Sequence, residues 1–271
     1  MDGKFKEIKK KTRNKVTLFT RPRRFGKTLT LKMMESFFDI RRNSREVFEG
    51  LEITKGHPDF CKNWMNQYPV LFLSLKDVEG LSFDEAYSML AAEIADLCMK
   101  FSFLENEDKV DAADAATFHR LKFKEGKEEE VKNSLKTLMR MMNAVYGKPV
   151  ILLMDEYDVP LAKAEETKNK EFYQQMLNVI RGLMSTSLKT NDYLKFSVLT
   201  GCLRISKESI FTGVNNFACY SVTTRTFSGY FGFTQAEVKN AEEIQNFWAN
   251  TSSNAVLDSF MNHSRIDAAE K

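Results

Sequence analysis

The sequence is poor in the residues that announce a disulfide scaffold, a metal cluster or a membrane span. It holds four cysteines, Cys61, Cys98, Cys202 and Cys219, and none stands at CxxC or metal-ligand spacing. That argues against a zinc site and against a disulfide framework. With so few cysteines and no signal peptide, a reducing cytoplasm is the expected setting. The three histidines, His57, His119 and His263, are isolated from one another, so each is expected to be structural or exposed. No Ser/His/Asp arrangement is legible. Apolar runs such as Val150 to Met154 fall far short of the roughly 18–20 residues a membrane span needs, and no membrane partner is expected. Strong net charge is missing too: +3 over 271 residues is too little to argue by itself for a nucleic-acid partner. No internal repeat is visible.

What is present fits a globular chain. At 271 residues it can bury one sizeable core, or one core with a small appendage, and its 43% hydrophobic and 28% charged residues are ordinary for such a protein. The charge is unevenly spread. Lys4 to Arg24 is strongly basic, with Glu7 its single acid. A stretch of that kind either faces phosphates or is a solvated basic arm, and residues 4–15 read first as an arm.

Short apolar runs alternate with helical patterns. Val16 to Phe19 is a β-type run that ends at Thr20-Arg21-Pro22. A helix is predicted from Lys27, with Leu31, Met34 and Phe38 on one face. Pro69 to Ser74 reads as a second strand, followed by an amphipathic helix marked by Phe83, Tyr87, Leu90, Ile94, Leu97 and Phe101. Residues 102–127 are polar and mixed and read as a loop with room for a short helix. Val131, Leu135, Leu138, Met142 and Val145 mark another helix, stopped by Gly147 and Pro149. Val150 to Met154 is a third strand, 170–189 a helix, Phe196 to Thr200 a fourth strand and Ala218 to Val222 a fifth. Strands without alternation, separated by helices, favour a parallel sheet buried on both faces. The expected fold is therefore α/β, an open three-layer sandwich with its site at the carboxyl ends of the strands. The methionine and aromatic stripes are assigned to packing.

The chemistry gathers after the first and third strands. Arg21-Pro22-Arg23-Arg24-Phe25-Gly26-Lys27-Thr28 matches the last three places of the phosphate-loop pattern G-x-x-x-x-G-K-S/T, with Arg21 where the first glycine is expected. Gly26 lets backbone approach a phosphate closely. Lys27 is a point charge for the β and γ phosphates, and Thr28 offers a hydroxyl to Mg²⁺. The loop amides and the positive end of the following helix hold the anion. A bare Gly-Lys-Thr is common, but here it sits between a strand and a helix. Val150 to Met154 followed by Asp155-Glu156 is the arrangement of a Walker B strand. Asp155 would hold the Mg²⁺ shell, and Glu156 is the candidate general base for an attacking water. Thr200, at the end of the fourth strand, reads either as a γ-phosphate sensor or as a locally bonded hydroxyl. Arg204 reads either as a transition-state charge stabiliser or as an ordinary surface residue. Asp77 and Asp158 are further acids that could sit near the nucleotide, which their position along the chain does not establish.

These motifs resemble those of the bacterial AAA-ATPase-like domain family. Thr20 to Leu29 looks like its phosphate loop, Leu152 to Pro160 its Walker B block, Leu199 to Gly213 its third signature block, and Phe231-Gly232-Phe233-Thr234 the block that closes the domain. The resemblance spans roughly 16–238 and accounts for Arg21, since arginine at that place is what the family shows. It implies a P-loop NTPase sandwich of the additional-strand (ASCE) type, with a mainly parallel central sheet. It also implies ATP and Mg²⁺ as ligands, the segment from Arg21 through Leu29 as the nucleotide-binding loop, and Thr28 with Asp155 as metal ligands.

Family members typically carry a PD-(D/E)XK nuclease-like domain after the ATPase. The Trp-Tyr-Asp-Gly-Tyr motif expected after Phe233 is absent, and Trp248 to Asn254 resembles a block normally met further on. The sequence thus reads as truncated at both ends and internally shortened. Three segments are expected: a basic arm over 1–15, the ATPase domain over 16–238, and a remnant of a helical C-terminal region over 239–271. The leading expectation is Mg-dependent ATP hydrolysis. The alternative is a nucleotide-binding regulatory module with little turnover. A homo-oligomer is an expected partner state, and nucleic-acid binding rests on the basic stretch alone.

Overall fold

The computed structural model describes residues 15–202, 210–211, 217–221, 223–224 and 239. The chain divides into two compact units, Met1–Phe231 and Gly232–Lys271, and the strands and helices named below all belong to the first. Arg204, His263, the Phe231–Thr234 block and the Trp248–Asn254 block lie outside the described residues.

Among the described residues five strands form one sheet: β1 (Val16–Thr20), β2 (Val70–Ser74), β3 (Val150–Asp155), β4 (Leu194–Gly201) and β5 (Phe217–Tyr220). Their order is β2-β3-β4-β1-β5, and every pairing is parallel. β4 therefore stands between the two motif-bearing strands β1 and β3, as the additional-strand expectation requires. The helices are α1 (Lys27–Phe38), α2 (Arg45–Phe48), α3 (Glu52–Gly56), α4 (Pro58–Trp64), α5 (Phe83–Lys100), α6 (Ala112–Lys122), α7 (Glu128–Tyr146), α8 (Val159–Glu166) and α9 (Lys170–Leu188).

The third strand shows why uniform apolar sequence suits this sheet. All six of its residues are buried. Side chains alternate across a strand, so each face of β3 needs its own apolar set. Val150, Leu152 and Met154 join the larger core with α5, α6, α7 and α9. Ile151 and Leu153 join a smaller one with α1 and α4, rich in aromatic rings: Phe19, Phe37, Phe38, Phe48 and Trp64. The result is three layers with the sheet in the middle.

The expected elements need correction at several places. Residues 102–127 are not mainly loop. They hold a 3₁₀ turn at Ser102–Asn106 and the three-turn helix α6. Their polar composition hides three helix-making features. Asp111 caps the helix by accepting from the Ala113 N–H at 2.9 Å. Phe118 and Leu121, three residues apart, are buried against the larger core. Asp114 is ion-paired with Arg140 of α7. The segment between α1 and β2, for which the sequence predicts no element, carries α2, α3 and α4. β5 also begins one residue earlier than expected and ends at Tyr220.

Candidate functional site

The site forms where β1, β3 and β4 end. Leaving β1, the loop from Arg21 to Gly26 turns through two left-handed residues, Arg24 (φ 67°) and Gly26 (φ 69°). Turns of this kind aim successive N–H groups into one concavity suited to an anion. Gly26 is also the N-cap of α1, with no side-chain cap and no acid in the first helical turn. The N–H groups at the helix start thus have no side-chain cap, the arrangement found where helix N-termini hold anions. A Cβ built at Gly26 would meet nothing within 4 Å, so its left-handed backbone, not crowding, calls for glycine.

Lys27 is buried, at 4% exposure. Its Nζ donates to the carbonyl oxygens of Arg21 (3.2 Å) and Pro22 (3.1 Å) and contacts Cys202 Sγ at 3.3 Å. The ammonium therefore spans the arch of the loop from inside. Thr28 Oγ1 donates to Asp155 Oδ2 at 2.6 Å, and Thr200 Oγ1 donates to Asp155 Oδ1. The three residues that carry the hydroxyl, the acid and the intervening strand end are thus brought into one hydrogen-bonded group. Asp155 is 1% exposed and Thr200 0%. Neither Lys27 nor Asp155 forms an ion pair with a described residue, although both are buried charges. Buried charges are ordinarily paired or coordinate a metal.

The turn after β3 is stitched to the end of β4. Tyr157 N–H donates to Thr200 O at 3.1 Å, and Cys202 N–H donates to Asp158 Oδ2 at 3.0 Å. A Cβ at Gly201 would come within 2.5 Å of Asp158 Oδ1 and 2.6 Å of the Tyr157 ring, so only glycine fits this close approach. Within the turn Glu156 is half-buried and left-handed, with φ 51°. For a residue with a Cβ that conformation costs roughly 1–3 kcal/mol, and it is the kind of strain that gathers at functional positions.

The remaining loop candidates divide. Arg23, Arg24, Phe25, Thr28 and Leu29 are exposed at the rim, as is Pro22. Arg21 is 3% exposed, and its guanidinium is turned toward β5, away from the rim. Burial pushes its pKa below the ordinary guanidinium value, against a smaller opposing effect from Cys219. Beside Thr28 opens a cleft of 220 Å³, with Ser74, Lys32, Lys76, Lys100 and one acid, Glu93, on its walls. Asp77 pairs with Lys76 at 3.5 Å on the surface and does not touch Asp155 or Thr28. Sequence reasoning passes over Gly201 and Cys202 in this site. Nothing local marks them, because their roles arise from contacts with residues 44 and 175 positions away.

Among the described residues no group of three His, Cys, Asp or Glu side chains is placed to hold a metal on its own. The Thr28 hydroxyl and Asp155 carboxylate form a hard-oxygen donor pair of the kind that suits Mg²⁺ completed by water and phosphate. The residues present therefore fit the implied metal. Among the described residues no helix is long and apolar enough to cross a membrane.

The parallel five-stranded sheet, with β4 inserted between β1 and β3 and a phosphate-type loop leading into α1, defines a P-loop NTPase-like α/β sandwich. The chain belongs to the family described as "Predicted AAA-ATPase", whose model matches residues 5–211. That span takes in the loop, Asp155-Glu156 and β4. It ends before β5 and before the Phe231–Thr234 block. A curated protein of Azotobacter chroococcum mcd 1, described as "Uncharacterized protein in vnfD 5'region", is 28% identical over 224 residues. The similarity covers 81% of this chain and 36% of that protein, so the chain spans little more than a third of its relative's length. No solved structure matches the chain.

Proposed function

We propose that this chain binds ATP with Mg²⁺ in the loop Arg21 to Leu29 and hydrolyses it. The observation that carries the proposal is the pair of buried, ion-unpaired charges at the strand ends. Among the described residues the Lys27 ammonium has only carbonyls and a thiol as partners, and the Asp155 carboxylate has only hydroxyls. A magnesium–phosphate ligand supplies the missing charge of each sign: anionic oxygens for the ammonium, a divalent cation for the carboxylate. Membership of the predicted AAA-ATPase family supports the same reading.

In this reading Lys27 binds the β and γ phosphates, and the uncapped start of α1 with the Gly26 turn holds them by N–H donation. Thr28 and Asp155 would hold the metal, which when bound neutralises charge on the phosphate oxygens. Thr200 holds Asp155 in its orientation and would act as the γ-phosphate sensor. Glu156 takes a proton from the attacking water; its position next to Asp155 places it at the end of the same strand. Arg204 is proposed as a stabiliser of transition-state charge.

The test is phosphate release by the wild type and by Glu156→Gln, with ATP binding measured in both. The expected result is release by the wild type, loss of release in the variant, and binding in both. Binding without release above the variant's level would overturn hydrolysis and leave a nucleotide-binding module. Absence of ATP binding by the wild type would overturn the reading as a whole.

A further inference from the structure

Arg21 occupies the place where the phosphate-loop pattern has a glycine. A glycine there needs no partners, whereas this arginine has them on three strands. Its N–H donates to Gly201 O at the end of β4 (3.0 Å). Its Nη1 donates to Thr20 O at the end of β1 (2.9 Å) and to Tyr220 O at the end of β5 (2.8 Å). Its own carbonyl accepts from Lys27 Nζ. We propose that Arg21 is a positioning residue that ties the phosphate loop to the edge strand β5 and so sets where the Lys27 ammonium stands; this rests on the reading of the loop as an ATP site.

The peptide between Arg21 and Pro22 transmits the tie. That unit is planar, and Pro22 fixes its own φ near −65°. Arg21, as the residue before a proline, is biased to extended backbone. The orientation of the Arg21 carbonyl is therefore set mainly by how Arg21 itself is held. Lys27 rests on that carbonyl and the next one, at 3.2 and 3.1 Å. Whatever loosens Arg21 loosens both supports of the ammonium.

The partner strand gives the tie its second end. β5 has four residues, all half-buried, and among the described residues it pairs only with β1. The pairing runs from Val16 opposite Phe217 to Phe19 opposite Tyr220, whose rings stack with centroids 5.5 Å apart. Just past it, Ser221 and Thr224 close a turn, with Ser221 N–H donating to Thr224 Oγ1 at 3.1 Å and Thr224 N–H to Ser221 O at 3.0 Å. The Arg21 guanidinium grips the carbonyl at the junction of strand and turn. β5 is also held by its pairing with β1 and by Phe217 and Cys219 packing on the larger core, and the tie works both ways: it steadies the loop on β5 and β5 on the loop.

Arg21→Gly separates this proposal from the sequence pattern. It restores the glycine of the pattern and removes the tie. Two readouts on the full chain decide. In nucleotide-free protein, Arg21→Gly is expected to speed amide hydrogen exchange in residues 23–28 and in Phe217–Tyr220 together, while β2 and β3 stay protected. In ATP titrations Arg21→Gly is expected to weaken affinity about tenfold or more, the scale of losing a hydrogen bond from a charged donor. Arg21→Lys, which keeps a cation able to reach one carbonyl, is expected to recover part of both effects. Unchanged exchange in either segment would overturn the proposal. So would faster exchange with wild-type ATP affinity, or an Arg21→Lys variant no better than Arg21→Gly. A wild type that binds no ATP overturns the function proposed above instead, and the exchange arm then still decides whether the tie exists.

Discussion

The strand ends at the phosphate loop and the helical layer on the larger core are both buried, yet they handle charge in opposite ways. In the helical layer the interior is aliphatic and methionine-rich, with Leu135, Leu138, Met139, Met142, Met176 and Met184 all fully buried. Charges stand at its rim and are matched by partners of opposite sign: Arg140 with Asp114, Arg120 with Glu130, Lys122 and His119 with Glu105, Lys132 with Glu128. At the strand ends the reverse holds. Lys27 and Asp155 are inside, and their partners are neutral. Cysteine follows the same division: Cys98 in the layer behaves as a buried hydrophobe whose thiol is pushed up to about 12 by burial, while Cys202 touches the Lys27 ammonium. The difference teaches that the layer matches its charges internally, whereas the strand ends keep theirs on neutral partners, which is the feature the proposed ligand would complete. A buried charge left with neutral partners destabilises the ligand-free fold, and evenly paired rim charges do not.

Four substitutions break or sharpen that contrast. The largest effect is expected from Glu156→Gln, which should lower the rate of phosphate release by about 10²–10⁴-fold, the usual contribution of a general base, with no loss of thermal stability. Steady-state phosphate assays beside a melting curve check both halves. Next comes Leu138→Ala in α7, whose side chain is fully buried. Denaturant unfolding should show a loss of about 2–5 kcal/mol, while ATP affinity of the folded protein stays at the wild-type value. A matching loss of affinity would mean that layer and site are not separable.

Asp155→Asn tests the contrast from the other side. Removing the buried charge should raise the stability of nucleotide-free protein by about 1–2 kcal/mol, since the amide carries no charge to desolvate. The same change should abolish the added stability that Mg-ATP confers on the wild type, which mass action sets near 2.7 kcal/mol at about a hundredfold excess over Kd. Melting curves with and without Mg-ATP read both effects. A destabilised ligand-free variant would contradict the view of Asp155 as an uncompensated charge. The smallest effect is expected at Lys163, a half-buried partner of the exposed Glu79 and Glu166. Lys163→Ala should leave both the melting temperature and ATP affinity unchanged within scatter, because exposed pairs contribute little.

Much of this fold is legible along the chain because its signals are local. A run such as Val150 to Met154 can only be a buried strand or a short buried helix, and its length with Gly147 and Pro149 before it decides for the strand. Gly26-Lys27-Thr28 after β1 announces the turn into α1, which begins at Lys27 as expected. The expected helix over 170–189 is found at Lys170–Leu188 with Asn169 as its cap, its side chain accepting from the Glu171 and Phe172 N–H groups at 3.1 Å. α6 escapes a reading of the sequence because its support is tertiary: two buried side chains and one ion pair to another helix outweigh a polar composition. The site divides in the same manner. Lys27, Thr28, Asp155 and Glu156 stand out from residue type and spacing as the candidates for the proposed phosphate and metal chemistry.

By itself the sequence determined the order of the five strands and of helices α1, α5, α7 and α9, the parallel layered class, and a Gly26-Lys27-Thr28 loop of the phosphate-binding pattern between β1 and α1. Each rests on neighbours a few residues apart, where apolar period, glycine freedom and side-chain chemistry act directly. The tertiary structure alone decided that Thr200 and Thr28 share one carboxylate, across separations of 45 and 127 residues. It decided that Cys202 stands against Lys27, 175 residues away, and that Arg21 spends its guanidinium on a carbonyl 199 residues downstream. Hydrogen bonds act only within about 3 Å, so their partners at that range exist only once the sheet order has placed β4 between β1 and β3 and β5 at the edge.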